Sequence, residues 1–136
     1  MVLLFTVDGE DFLRAGEAST AVKRTLRQLG LDSSLVRRVA IAMYEAEMNM
    51  VLHAHGGTIR VELTDTYLTI CLKDVGPGIV DLDLAMQEGY STASQEVREL
   101  GFGAGMGLPN MKRYSDALQI TTQVDVGTEI VLGFNI

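Results

Sequence analysis

The spacing of apolar residues changes several times along the chain, and each change marks an element. Val2 to Val7 is a short β-rich run closed by Asp8-Gly9, which predicts a strand. From Asp11 to Leu29, the residues Phe12, Ala15, Ala18, Val22, Leu26 and Leu29 recur at steps of three and four, the stripe of an amphipathic helix stopped by Gly30. Asp32 or Ser33 can cap a second helix to about His53, with Leu35, Val36, Val39, Ala40, Met43, Ala46, Met50 and Val51 along a broad apolar face; it ends at Gly56-Gly57. Alternation then takes over. Ile59, Val61 and Leu63 stand against Arg60 and Glu62, and Leu68, Ile70 and Leu72 continue the pattern, so two strands form a hairpin around Asp65. A short helical patch near 81–87 precedes the weakly apolar stretch 88–100, which reads as a mobile loop. After glycines within 101–107, a helix over 108–117 leads into a last hairpin, 118–124 and 128–134, turned at Asp125-Val126-Gly127. Helices grouped apart from mostly antiparallel strands predict an α+β two-layer sandwich instead of a βαβ repeat.

Composition narrows this further. At 136 residues, against roughly 150 per domain, one domain over 1–136 is expected. With 47% apolar residues, 21% charged residues and 2 prolines, the chain is globular. Its net charge of −7 arises entirely after residue 60. That balance argues against a nucleic-acid or anionic-membrane partner, each of which needs a basic footprint. A charged anion can still bind if metal, backbone amides and a few local cations supply positive charge. The single Cys71 lies in the apolar run 68–72 and is expected as a buried thiol of a reducing compartment. No run approaches the ~20 apolar residues of a membrane span, and residues 1–5 lack the features of a signal peptide, so a cytoplasmic location is expected.

Three local patterns carry candidate chemistry. Gly101-Phe-Gly-Ala-Gly-Met-Gly107 lets backbone approach a ligand and aim amides at an anion, with a helix start just beyond; alone, it reads equally as a hinge. It is not a P-loop, lacking Lys-Ser/Thr, nor a dinucleotide fingerprint, lacking a preceding strand. Glu45 and Asn49 share a face of the second helix while Glu47 points away. An amide oxygen can ligate Mg²⁺, and a carboxylate one turn earlier can align or deprotonate a hydroxyl, although a solvated helix side has the same spacing. His53 reads as a helix-end residue and His55 as loop. Asp74, at a strand end beside Gly76 and Gly78, can accept a purine's exocyclic amine or simply cap a surface turn.

Taken together, these pieces resemble the GHKL (Bergerat-fold) ATPase superfamily. Glu45-x-x-x-Asn49 looks like its N box, Asp74-Val-Gly-Pro-Gly-Ile79 its G1 box and Gly103-Ala-Gly-Met-Gly-Leu108 its G2 box, in the family's order and spacing. Within the superfamily, Glu88-Gly-Tyr-Ser-Thr92 and Gly107-Leu-Pro-Asn-Met-Lys-Arg113 look most like the bacterial anti-sigma-factor and stressosome switch serine/threonine kinases. The resemblance implies a mixed, mostly antiparallel sheet with helices on one face, and ATP and Mg²⁺ as cofactors. Asn49 would hold the metal, Glu45 would serve as base or orienter, and Asp74 would contact adenine with Gly76, Gly78 and Ile79 lining the base pocket. Gly103, Gly105, Met106, Gly107 and Leu108 would cradle phosphates, Thr128 would join the bonds near adenine, and residues 89–104 would form the ATP lid. That lid looks expanded over 93–101, where Arg98 could reach the γ-phosphate or remain in solvent. The implied activity is phosphorylation of a STAS-domain protein in a partner-switching pathway. The alternative is a nucleotide-gated binding module for a sigma factor or a PP2C-type phosphatase; a homodimer is suggested by the resemblance as well.

Overall fold

The computed structural model describes residues 1–9, 11, 13–87 and 107–136. Their strands are β1 (Val2–Asp8), β2 (Gly56–Leu63), β3 (Tyr67–Asp74), β4 (Ala117–Gln123) and β5 (Gly127–Asn135). They form a sheet ordered β1-β2-β3-β5-β4, and each of its pairings is antiparallel. The period-two pattern sets its inner face. Phe5, Ile59, Leu72, Ile130 and Ile120 line up in one cross-strand row, and Leu3, Val61, Ile70, Leu132 and Leu118 in the next.

The described helices are α1 (Glu17–Gln28), α2 (Ser33–His53), α3 (Leu82–Ala85) and α4 (Gly107–Tyr114). The core lies between the sheet's inner rows and the apolar faces of α1, α2 and α4, represented by Val22, Leu26, Val39, Met43, Met50 and Met111. Of the two candidate caps of α2, Asp32 and Ser33, it is Asp32 that serves, accepting from the Ser34 and Leu35 amides at 3.1 and 3.2 Å. No helix among the described residues is long and apolar enough to cross a membrane.

Two local readings need correction. The stripe starting at Asp11 overstates α1, which begins at Glu17 because Gly16 adopts a left-handed φ of 88°; Phe12 lies outside the described residues. The cap of α1 comes instead from α2. Glu47, only 2% exposed, accepts from the amides of Gly16, Ala18 and Ser19 at 3.0, 3.3 and 2.9 Å and from the Ser19 hydroxyl at 2.6 Å. Its charge thereby satisfies the orphan donors of a helix start. Cys71 is half-buried, not core, because strand parity sends Leu68, Ile70 and Leu72 inward and the thiol to the opposite face. Partial burial there, helped by Glu129, raises the thiol pKa.

α4 lies along α2 in the reverse direction, fixed at both ends. Near its start, the Asn110 side-chain amide donates to Glu45 at 3.3 Å. Past its end, Arg38 donates to the Tyr114 carbonyl at 3.4 Å and to Asp116 at 3.3 Å. Between these contacts Leu108 and Met111 are buried.

Candidate functional site

The strand-borne part of the site is a small bonded lattice. Asp74 is the last residue of β3, and its Oδ1 accepts the Thr128 amide at 2.8 Å. Thr128, 5% exposed, places its hydroxyl 3.0 Å from that of Thr122 on β4, which also accepts the Ile79 amide at 2.8 Å. One acidic side chain, two hydroxyls and the loop after β3 are thus tied together. Burial raises the Asp74 pKa, and the Thr128 amide partly offsets that rise. Among the described residues its Oδ2 has no hydrogen-bond donor.

The loop 75–80 is laced to the β4–β5 turn. The Gly76 amide donates to the Val126 carbonyl at 3.1 Å, and Asp125 donates to Pro77 at 2.9 Å. Gly78 has φ 74°, and a Cβ there would lie 2.5 Å from the Gln123 carbonyl oxygen, so only glycine lets the loop pass so close to β4. On its other side the loop meets the end of α2: the His55 amide donates to Val75 at 2.7 Å, and buried Gly76 packs against Ala54. His53, at that helix end, has its imidazole pKa lowered by burial.

The helix-borne part lies further back along α2. Glu45 and Asn49, both half-buried, are one turn apart and share a face. Glu45 Oε1 takes the Asn110 bond, while Oε2 is 3.7 Å from the point a Cβ on Gly107 would occupy. The carboxylate therefore faces the first turn of α4, where Gly107 is half-buried and Leu108 is buried. From Glu45 to Ala54 α2 advances about 13 Å at 1.5 Å per residue, so it joins the two parts of the site.

Asp74, Gly76, Gly78, Ile79 and Thr128 thus form one group; Glu45 and the first turn of α4 with Gly107 and Leu108 form a second, and Asn49 lies one turn from Glu45 on the same face of α2. Gly103, Gly105 and Met106, the lid 89–104 and Arg98 lie outside the described residues. Three contributors had no such role assigned from the sequence, where Glu47 stood only as pointing away from the Glu45–Asn49 face. Thr122 faces Thr128 across the last hairpin, and two threonines flanking a turn at 124–126 were a usable signal. Glu47 sits within the apolar stripe between Met43 and Val51, another readable sign. Asn110 had none, being 65 positions from its partner.

The two groups stand on an antiparallel sheet with helices on one face and are joined along α2. Residues 12–134 match the family described as the histidine kinase-like ATPase domain, and the chain belongs to that family. Membership implies a site for ATP. The chain is 31% identical over 112 residues to the serine/threonine-protein kinase RsbT of Bacillus subtilis, covering 79% of this chain and 78% of that one. It is 32% identical over 116 residues to the anti-sigma F factor of Caldanaerobacter subterraneus subsp. tengcongensis, covering 82% and 78%. The fold is shared with the RsbU and RsbW domains of a Mycobacterium tuberculosis protein, at TM-score 0.66 and 17% identity, over 98% of this chain and 32% of that one. It is also shared with a chain of the SiaB-SiaC complex of Pseudomonas aeruginosa, at TM-score 0.60 and 15% identity, over 97% and 88%.

Proposed function

We propose that this chain is an ATP- and Mg²⁺-dependent protein serine/threonine kinase of a partner-switching pathway, with a STAS-type protein as its substrate. The observation that carries the reading is the placement of Glu45 against the start of α4, with Asn49 one turn along the same face of α2 and the Asp74–Thr128 pair towards the far end of that helix. The identity to a serine/threonine kinase supports it. In this reading Asp74 accepts the adenine amine through Oδ2, Thr128 and Thr122 fix Asp74 and its loop, and Gly76, Gly78 and Ile79 wall the base. Asn49 offers its amide oxygen to Mg²⁺, which when bound neutralises phosphate charge. Gly103, Gly105, Met106, Gly107 and Leu108 hold the phosphates through backbone amides.

Glu45 orients the partner's hydroxyl and takes its proton as that oxygen bonds to the γ-phosphorus and the bond to the departing ADP breaks. Positioning and charge compensation carry most of such a reaction. The same reading has residues 1–136 act as one cytoplasmic domain, with neither nucleic acid nor membrane as partner. Pairing into a homodimer belongs to it too and is checked by light scattering.

Calorimetric titration of ATP with and without Mg²⁺ tests the nucleotide site. Mg²⁺-dependent binding weakened by Asn49→Ala and by Asp74→Asn is expected, followed by Glu45-dependent transfer of labelled phosphate to a STAS-domain protein. No binding at high protein concentration overturns the reading. A second reading, a nucleotide-gated binding module for a sigma factor or a PP2C-type phosphatase, is supported by the relatives named anti-sigma F factor. It prevails if the partner binds in an ATP-dependent way but gains no phosphate.

A further inference from the structure

The geometry points to Asn110 as a positioning residue for Glu45, setting the carboxylate of the base from the first turn of α4; this rests on the kinase reading above. A glutamate on a helix surface has several rotamers open to it, whereas proton transfer needs one. Asn110 supplies that restriction. Its Nδ2 donates to Oε1 at 3.3 Å, and Oε2 is left on the Gly107 side, 3.7 Å from the point a Cβ there would occupy. One oxygen is held by the amide and the other faces a residue with no side chain.

The chemistry of the donor suits the task. An amide N–H orients a carboxylate through a single neutral hydrogen bond, whereas a lysine at 110 would form an ion pair. A length of 3.3 Å is at the long end for such a bond, as catalytic contacts often are before the reactants arrive.

A guide must itself be fixed, and α4 is. Leu108 and Met111 are buried beside Asn110. At the other end Arg38 ties the Tyr114 carbonyl and Asp116 to α2, and the second Asp116 oxygen accepts the Asn135 amide at 2.8 Å. Sliding α4 along α2 would break all of these contacts, so the spacing between Asn110 and Glu45 is defined by the whole two-helix unit.

The test uses the full chain and two readouts. In ¹⁵N–¹H spectra the Asn110 side-chain amide, assigned by its loss in Asn110→Ala, is expected to shift in Glu45→Ala; an unmoved resonance overturns the contact. In transfer to the STAS-domain substrate, Asn110→Ala should lower kcat about ten- to a hundredfold with KM for ATP within about twofold. Asn110→Asp keeps the shape, removes the donor and should do no better. In a Glu45→Gln background Asn110→Ala should cost nothing further. Losses that multiply, a raised KM at unchanged kcat, or wild-type turnover in Asn110→Asp overturn the inference. If the wild-type chain transfers no phosphate, the kinase reading falls, and the Asn110 resonance still decides whether this residue holds Glu45.

Discussion

Asp74 and Glu45 are both half-buried carboxylates in the site, yet they are mounted differently. Asp74 ends a strand and is gripped by a backbone amide at 2.8 Å, within a lattice that includes Thr128, Thr122 and Ile79. Glu45 extends from a helix and touches one side-chain amide at 3.3 Å. Backbone partners are fixed by sheet register, whereas a side-chain partner is only as fixed as the helix that carries it. The strand-borne carboxylate is thus held by the sheet itself, and the helix-borne one depends on how α4 is packed against α2.

Substitution at the two carboxylates should separate these roles. Glu45→Gln is expected to lower phosphate transfer by about a hundredfold or more while ATP affinity changes little. Asp74→Asn should mainly weaken ATP binding, by calorimetry. Equal effects of both on binding would erase the distinction. The comparison sharpens at Glu47, two residues from Glu45 but on the buried side of α2. Glu47→Ala strips the cap of α1 and should cost on the order of 3 kcal/mol in urea unfolding, or about 10 °C in Tm.

Gly78→Ala forces a side chain toward the Gln123 carbonyl at positive φ. It should cost about 2 kcal/mol and weaken ATP binding, because the base-side loop has no alternative path. The smallest expected effect concerns pH. Burial raises the Asp74 pKa, so any stability tied to its neutral form is present below the unfolded-state value and is lost as pH rises through the folded one. Asp74→Asn should flatten that slope in acid-range urea melts. ATP affinity should run the other way, falling as pH drops through the raised value, since protonation weakens the acceptor. A slope that persists in the Asn variant would assign it to another group.

Much of this was legible because it is local. Asp32 announces its cap, alternation fixes the inward faces of β2 and β3, and Gly76 and Gly78 mark the loop that closes on the β4–β5 turn. Cys71 was legible too, but the habit of free thiols to be buried outweighed the strand parity that turns it outward. The start of α1 escaped because periodicity sees the stripe upstream of Gly16 and not the left-handed turn that interrupts it. Thr122 and Asn110 gain their roles from partners on other elements, which no window along the chain contains.

The cap that Glu47 provides for α1 also bears on how the chain is made. Its bond to the Gly16 amide spans 31 positions, so a nascent chain that has not yet delivered Glu47 holds an α1 whose first turn is uncapped. β1 waits longer, since its sheet partner β2 begins at Gly56. On the ribosome, the cap of α1 therefore becomes available only once α2 has emerged as far as Glu47, and the sheet pairing of β1 only after that.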